Sequence, residues 1–162
     1  MTPNFAAFLT MIAHSEGVDR ALDPYRVCYG YHHTIVDLSF HPAEPREPNG
    51  AIEWPGEPIT SGIYAGEHST AAGRYQLILK TFLTLKAQMR LTNFTVGAQD
   101  ACAIALIRQH GAFQDVYLGA IRSAIAKCHN EWASLPGGSS GEPEHPIEFL
   151  LDRYTAAGGM IA

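Results

Sequence analysis

Helical periodicity vanishes between Val18 and about Gly73, and it is strong on both sides of that gap. Such a chain is neither a plain helical bundle nor a repeating sheet, because helices must enclose a long stretch of turns and short strands. On the N-terminal side, Phe5, Phe8, Leu9 and Ile12 recur at three- and four-residue steps and predict a helix over 3–16. Thr2-Pro3 suits its entry, with Thr as cap and Pro in the first turn. Beyond the gap, Leu77, Ile78, Phe82, Leu85 and Met89 predict a helix over about 75–90. Ala103, Ile104 and Ile107 predict one over 96–109, stopped by His110-Gly111. Leu118, Ile121, Ile125 and Cys128 align on one helix over 115–128, whose cationic end at Lys127 and His129 suits the dipole. Gly137, Gly138 and Gly141 mark a loop over 132–144, and a last helix spans about 145–157 before Gly158-Gly159. There are no internal repeats. The fold class is α+β, a mainly helical domain with small β-hairpins and long loops.

Inside the gap, Tyr25-Arg26-Val27-Cys28-Tyr29-Gly30-Tyr31 and Thr34-Ile35-Val36 read as short strands bounded by turn residues. The Pro- and Glu-rich stretch from Pro42 to Pro58 reads as a surface excursion, a flap over a groove. Loops of this length within a domain usually carry function. With 162 residues, 46% of them hydrophobic, the chain suits one domain over 1–162 with a loop and hairpin subregion at about 18–73.

Composition also excludes. No apolar run is long enough to span a bilayer, so no membrane insertion is expected. No basic segment precedes an apolar stretch at the N-terminus, so a secretory signal is not expected and the protein should stay in the cytoplasm where it is made. A net charge of −5 without a basic cluster argues against nucleic acid. It also gives no long-range attraction to an anionic polymer, whose binding would need a shaped groove. Cys28, Cys102 and Cys128 lack CxxC spacing and are odd in number, which suits neither a disulfide framework nor zinc. Cys102 and Cys128 fall on predicted helices as core thiols. His32-His33, near His41 and His68, raises the question of a metal. Adjacent side chains on a strand point to opposite faces, so no metal or other cofactor is expected.

Two stretches carry chemistry. In His14-Ser15-Glu16-Gly17, Glu16 continues the apolar stripe four residues past Ile12, at the end of the first helix. Burial there raises a carboxyl's pKa, and a general acid near neutral pH needs that. The same position also suits a solvated or salt-bridged Glu. In Ser69-Thr70-Ala71-Ala72-Gly73-Arg74-Tyr75-Gln76-Leu77, small residues run into Gly73, where a ligand or backbone can approach closely. Tyr75 and Gln76 open the next helix in this reading and offer a ring face, a hydroxyl and an amide to sugar hydroxyls and acetamides. Their simpler role is to start that helix.

The segments Ala7-Phe8-Leu9, Met11, Ala13, Ser15-Glu16-Gly17 and Ala72-Gly73-Arg74-Tyr75-Gln76-Leu77 resemble the phage lambda lysozyme family of endolysins. So do Ala98-Gln99-Asp100 with Gly111-Ala112, Trp132-Ala133-Ser134-Leu135-Pro136-Gly137, His145 and Ala156-Ala157-Gly158-Gly159. Tyr25-x-Val27-x-x-Gly30 and Asp37-x-Ser39-x-His41-Pro42 are similar as well. The resemblance covers nearly the whole chain in order. It departs in a longer stretch between His41-Pro42 and Ser69, in Gly30-Tyr31 where Gly-Gly is typical, and in Ser139-Ser140-Gly141 where an aromatic is expected.

This resemblance implies a lysozyme-like lytic transglycosylase that cuts the β-1,4 bond between N-acetylmuramic acid and N-acetylglucosamine and leaves a 1,6-anhydro sugar. Glu16 matches the catalytic Glu, and Gln76 falls on a groove-lining Gly-x-x-Gln element. Ser15, Asp37, His41, Tyr75, Gln76, Trp132, Ser134 and His145 are the expected substrate-binding residues. Trp132 also suits a core anchor, and Trp54 suits a sugar platform. The implied setting is a monomeric endolysin held in the host bacterial cytoplasm. It meets peptidoglycan glycan strands after release through a holin-type pore. Two other readings remain open. One is a hydrolytic muramidase with Asp37 as the second carboxylate, Asp19, Glu53 and Glu67 being looser choices. The other is a non-catalytic wall-binding module.

Overall fold

Thr2 Oγ1 accepts from the Phe5 amide at 3.4 Å and Pro3 opens helix α1, Pro3–Ser15. Phe5, Phe8, Leu9 and Ile12 are buried, as their spacing predicts, and Ala7, Met11 and Ala13 join them. The computed structural model describes residues 1–138, 141 and 143–162. The expectation about Ser139-Ser140-Gly141 rests on positions 139 and 140, outside the described residues. Among the described residues, five further helices follow: α2 (Leu79–Met89), α3 (Val96–Gln109), α4 (Phe113–Leu118), α5 (Ile121–Cys128) and α6 (Ile147–Ala156). One antiparallel sheet pairs β1 (Glu57–Pro58) with β2 (His68–Ser69).

By its contacts the chain divides into two compact units. The first is Met1–Gly17, Ser61–Ile63 and Ala103–Ala162; the second is Val18–Thr60 and Tyr64–Cys102. In the first unit α1 packs against α4 and α6. In the second, the rings of His41, Phe82 and Phe94 stack and cross at 4.8–5.6 Å.

Three predicted elements change. The helix expected from about 75 starts at Leu79, because Ala72 and Leu77 exchange two backbone hydrogen bonds that fold 73–76 into a turn. Gln76 sits there at φ +47°, a left-handed conformation incompatible with a helix. The helix expected over 115–128 breaks at Gly119, φ +82°. A Cβ at Gly119 would lie 2.2 Å from the Met160 carbonyl oxygen, so the returning C-terminus dictates the break and leaves Leu118 exposed. The strands expected at 25–31 and 34–36 shrink to isolated bridges, Val27–Thr34 and Cys28–Ala72. Side chains supplement the remaining backbone bonds, Ile35 to Arg26 and Cys28 to His33: the Arg26 guanidinium donates to the Ile35 and Val36 carbonyls at 2.7 and 2.9 Å, and Glu53 accepts from the Val36 amide at 2.7 Å.

Candidate active site

Glu16 ends α1. Its amide donates to the Ile12 carbonyl at 2.9 Å, and Gly17, at φ +72°, turns the chain away. Its Oε1 accepts a 2.6 Å hydrogen bond from the Ser134 hydroxyl. Desolvation of the carboxyl pushes its pKa up from 4.5 to about 7, and the Ser134 bond only partly opposes that rise. A carboxyl so placed holds a proton near neutrality and can still release it there.

Ser134 is held firmly. Its carbonyl accepts from the His145 amide at 2.9 Å, and Trp132, two residues before it, is buried. The His145 ring stacks on Phe149 at 4.5 Å, and its Nε2 meets the Ser15 carbonyl at 3.1 Å. A carbonyl can only accept, so Nε2 carries the proton. The Gly137 amide donates to Glu144 at 3.0 Å and clasps the loop. Four residues from three distant stretches of sequence thus converge: Ser15, Glu16, Ser134 and His145.

The other expected contacts lie in the second unit, apart from Trp132. His41 is 0% exposed, its Nε2 donating to the Leu77 carbonyl at 2.9 Å and its Nδ1 accepting from the Ala43 amide at 3.3 Å. Tyr75 is buried, and its hydroxyl donates to Asp100 at 2.6 Å. Both side chains therefore serve the core. Trp132 does likewise, and so does Trp54, buried beside the His33 ring at 6.4 Å. Gln76 Nε2 donates to the Gly73 and Val27 carbonyls at 2.9 and 3.3 Å. Asp37 caps Ser39 at 2.8 Å, and that bond holds its carboxyl below the usual range.

Among the rival carboxylates, Glu53 is pinned by Arg46 at 2.6 Å, His33 at 3.0 Å and the Val36 amide at 2.7 Å. Asp19 and Glu67 are exposed. Among the described residues, no three His, Cys, Asp or Glu side chains come together as a metal site.

Gln99, within the Ala98-Gln99-Asp100 segment, organises the 73–76 turn. It is fully buried, donates to the Tyr25 and Phe94 carbonyls at 3.0 and 2.9 Å, and accepts from the Arg74 amide at 2.9 Å. The available signal was a polar residue on the apolar face that Cys102, Ala103 and Leu106 continue.

A mainly helical α+β chain with a small antiparallel sheet and a desolvated glutamic acid closing its first helix has a lysozyme-like fold. Solved structures of lambda lysozyme support this. Bacteriophage lambda lysozyme complexed with a chitohexasaccharide matches with a TM-score of 0.82 at 33% identity, covering 100% of this chain and 98% of that one. A second lysozyme from bacteriophage lambda matches with a TM-score of 0.79 at 32% identity. The sequence matches the Endolysin family over residues 6–161. It is 38% identical over 159 residues to the endolysin of Escherichia phage P2, covering 98% of this chain and 95% of that protein. To the endolysin of Escherichia phage lambda it is 34% identical over 160 residues, covering 96% and 91%. The chain belongs to the endolysin family, the lysozyme-like enzymes that degrade peptidoglycan by cleaving glycosidic bonds.

Proposed function

We propose that this endolysin is a lytic transglycosylase in which Glu16 acts alone, first as acid and then as base. Its substrate is the β-1,4 bond between N-acetylmuramic acid and N-acetylglucosamine. The protonated Glu16 gives its proton to the bridging oxygen as the C1–O bond breaks. The substrate's acetamide steadies the oxocarbenium-like carbon. The Glu16 carboxylate then takes the proton of the 6-hydroxyl as that oxygen closes on C1. Atoms balance without water, and the product ends in a 1,6-anhydro sugar. Residues 1–162 work as one catalytic domain in this reading.

The observation that carries the reading is the Glu16 carboxyl at the end of α1, held by the Ser134 hydroxyl at 2.6 Å; its desolvation favours the protonated form, as a group that is both acid and base near neutrality requires. Two facts support the single-carboxylate route. Two of the alternative partners are held by neighbours of their own, Glu53 by Arg46 and His33 and Asp37 by the Ser39 amide, while Asp19 and Glu67 are exposed. A hydrolase of the usual kind needs a second carboxylate placed to activate water or attack. The chitohexasaccharide in the lambda lysozyme complex supports a glycan strand as the occupant.

The test is digestion of purified peptidoglycan followed by mass analysis. Anhydro-muramyl ends are expected from the native protein, and Glu16→Gln is expected to clear no walls. Hydrated reducing ends would make the enzyme a muramidase instead. Clearing by Glu16→Gln would remove Glu16 from the chemistry.

A further inference from the structure

The hydroxyls around Glu16 contain more than a hydrogen bond to the acid. Ser15 Oγ lies 2.8 Å from the Ile12 carbonyl, which can only accept, so the single Ser15 proton is committed there. Toward Ser134, 3.0 Å away, Ser15 Oγ can therefore only accept. Ser134 also has one proton and two acceptors in reach: Glu16 Oε1 at 2.6 Å and Ser15 Oγ at 3.0 Å. The two compete for it.

The geometry points to Ser15 as a positioning residue that tunes the acid through Ser134. When Glu16 is ionised, the Ser134 hydroxyl turns to the carboxylate, the stronger acceptor. When Glu16 is protonated, the same hydroxyl turns to Ser15 Oγ, and a chain Ser134→Ser15→Ile12 stabilises the acid form. A rotation about one C–O bond serves both states and the heavy atoms stay in place. Ser15 is 5% exposed, so its hydroxyl acts on the acid from behind rather than on a glycan. This inference rests on the assignment of Glu16 as the reacting acid.

Other titratable groups are not needed to explain the effect. His14 precedes Ser15 on α1, and His145 meets the Ser15 carbonyl. Glu131 pairs with His110 at 2.9 Å, and Glu144 holds the Gly137 amide. On the helices packed against α1 stand Asp115, which pairs with Lys127, and the exposed Glu148, Asp152 and Arg153. The causes acting on Glu16 are lost water and the Ser134 hydroxyl.

The consequence is a pair of opposite shifts. Ser134→Ala removes the donor to the carboxylate and raises the Glu16 midpoint. Ser15→Ala removes the competing acceptor, leaves the Ser134 proton to the carboxylate in both states, and lowers it. Each shift is expected to be about half a pH unit to one unit. The measurement is a carbon-detected NMR titration of the Glu16 carboxyl, assigned with Glu16→Gln, beside the pH dependence of wall clearing. Ser15→Cys keeps the volume but is a weak acceptor, and it should move the midpoint the same way as Ser15→Ala. Ser134→Thr keeps the hydroxyl and should return the native value.

Shifts in the same direction, or none in Ser15→Ala and Ser15→Cys, would overturn the inference whatever the activity does. Opposite NMR shifts with a pH–activity profile that follows neither would leave the hydroxyl switch standing and remove Glu16 as the reacting acid.

Discussion

Burial moves the proton affinities of Glu16 and His41 in opposite senses, one toward neutrality and one away from it. A carboxyl raised to about 7 binds its proton better folded than unfolded. Its contribution to stability is complete below about 4.5 and is lost as pH rises through about 7. Glu16→Gln is therefore expected to melt higher than the native protein above neutral pH, by up to about 3 kcal/mol, while losing wall clearing. Calorimetry at pH 8 checks it, and a lower melting temperature would contradict the desolvated acid. His41 runs the other way. Burial lowers its pKa to about 4, against the pull of its bond to Leu77, so the neutral ring is the stable form. Its contribution is present above 6.5 and lost as pH falls through about 4. His41→Gln should start less stable at pH 8 and lose less on acidification, read by urea melts across that range.

Elements were legible in proportion to how local their causes are. Helix α1 was readable because its cap, its stripe and its stop all lie within seventeen residues. The start of α2 was not, because the 73–76 turn is set by Gln99 reaching from α3. Gly73 shows the constraint: at φ +76°, an added Cβ would lie 2.2 Å from Gln99 Oε1. Gly73→Ala is expected to cost about 2 kcal/mol or more by strain and displacement of that amide. A fall in urea midpoint of that size checks it, and an unchanged midpoint would mean Gln99 can move aside. The break between α4 and α5 was hidden for a similar reason, since a residue beyond position 158 forces it.

The flap at 42–58 was expected as a surface excursion, but Glu53 ties it down. Hydrogen bonds from Val36, His33 and Arg46 outweigh burial and hold its carboxyl below the usual range. Glu53→Ala leaves Arg46 and the Val36 amide without that partner and should cost about 3 kcal/mol. Faster proteolytic nicking within 42–58 is the readout.

Over the whole molecule, the stability curve combines opposing slopes. Between about 4.5 and 6.5, Glu16 weakens the fold as pH rises and His41 strengthens it by a similar amount. Their joint contribution should be nearly flat there, and Glu16→Gln should expose the His41 slope. The acid itself was legible from a carboxylate on an apolar stripe. Its hydroxyl support was not, because nothing near Glu16 in sequence announces Ser134, 118 residues away.

The buried cysteines give the chain built-in clocks. Cys28, Cys102 and Cys128 are each 0% exposed, with thiols raised to about 12, 11 and 12. An alkylating reagent at pH 8 meets almost no thiolate until a region opens. Cys28 and Cys102 report on the second unit and Cys128 on the first, so peptide-resolved labelling rates would time the opening of each separately.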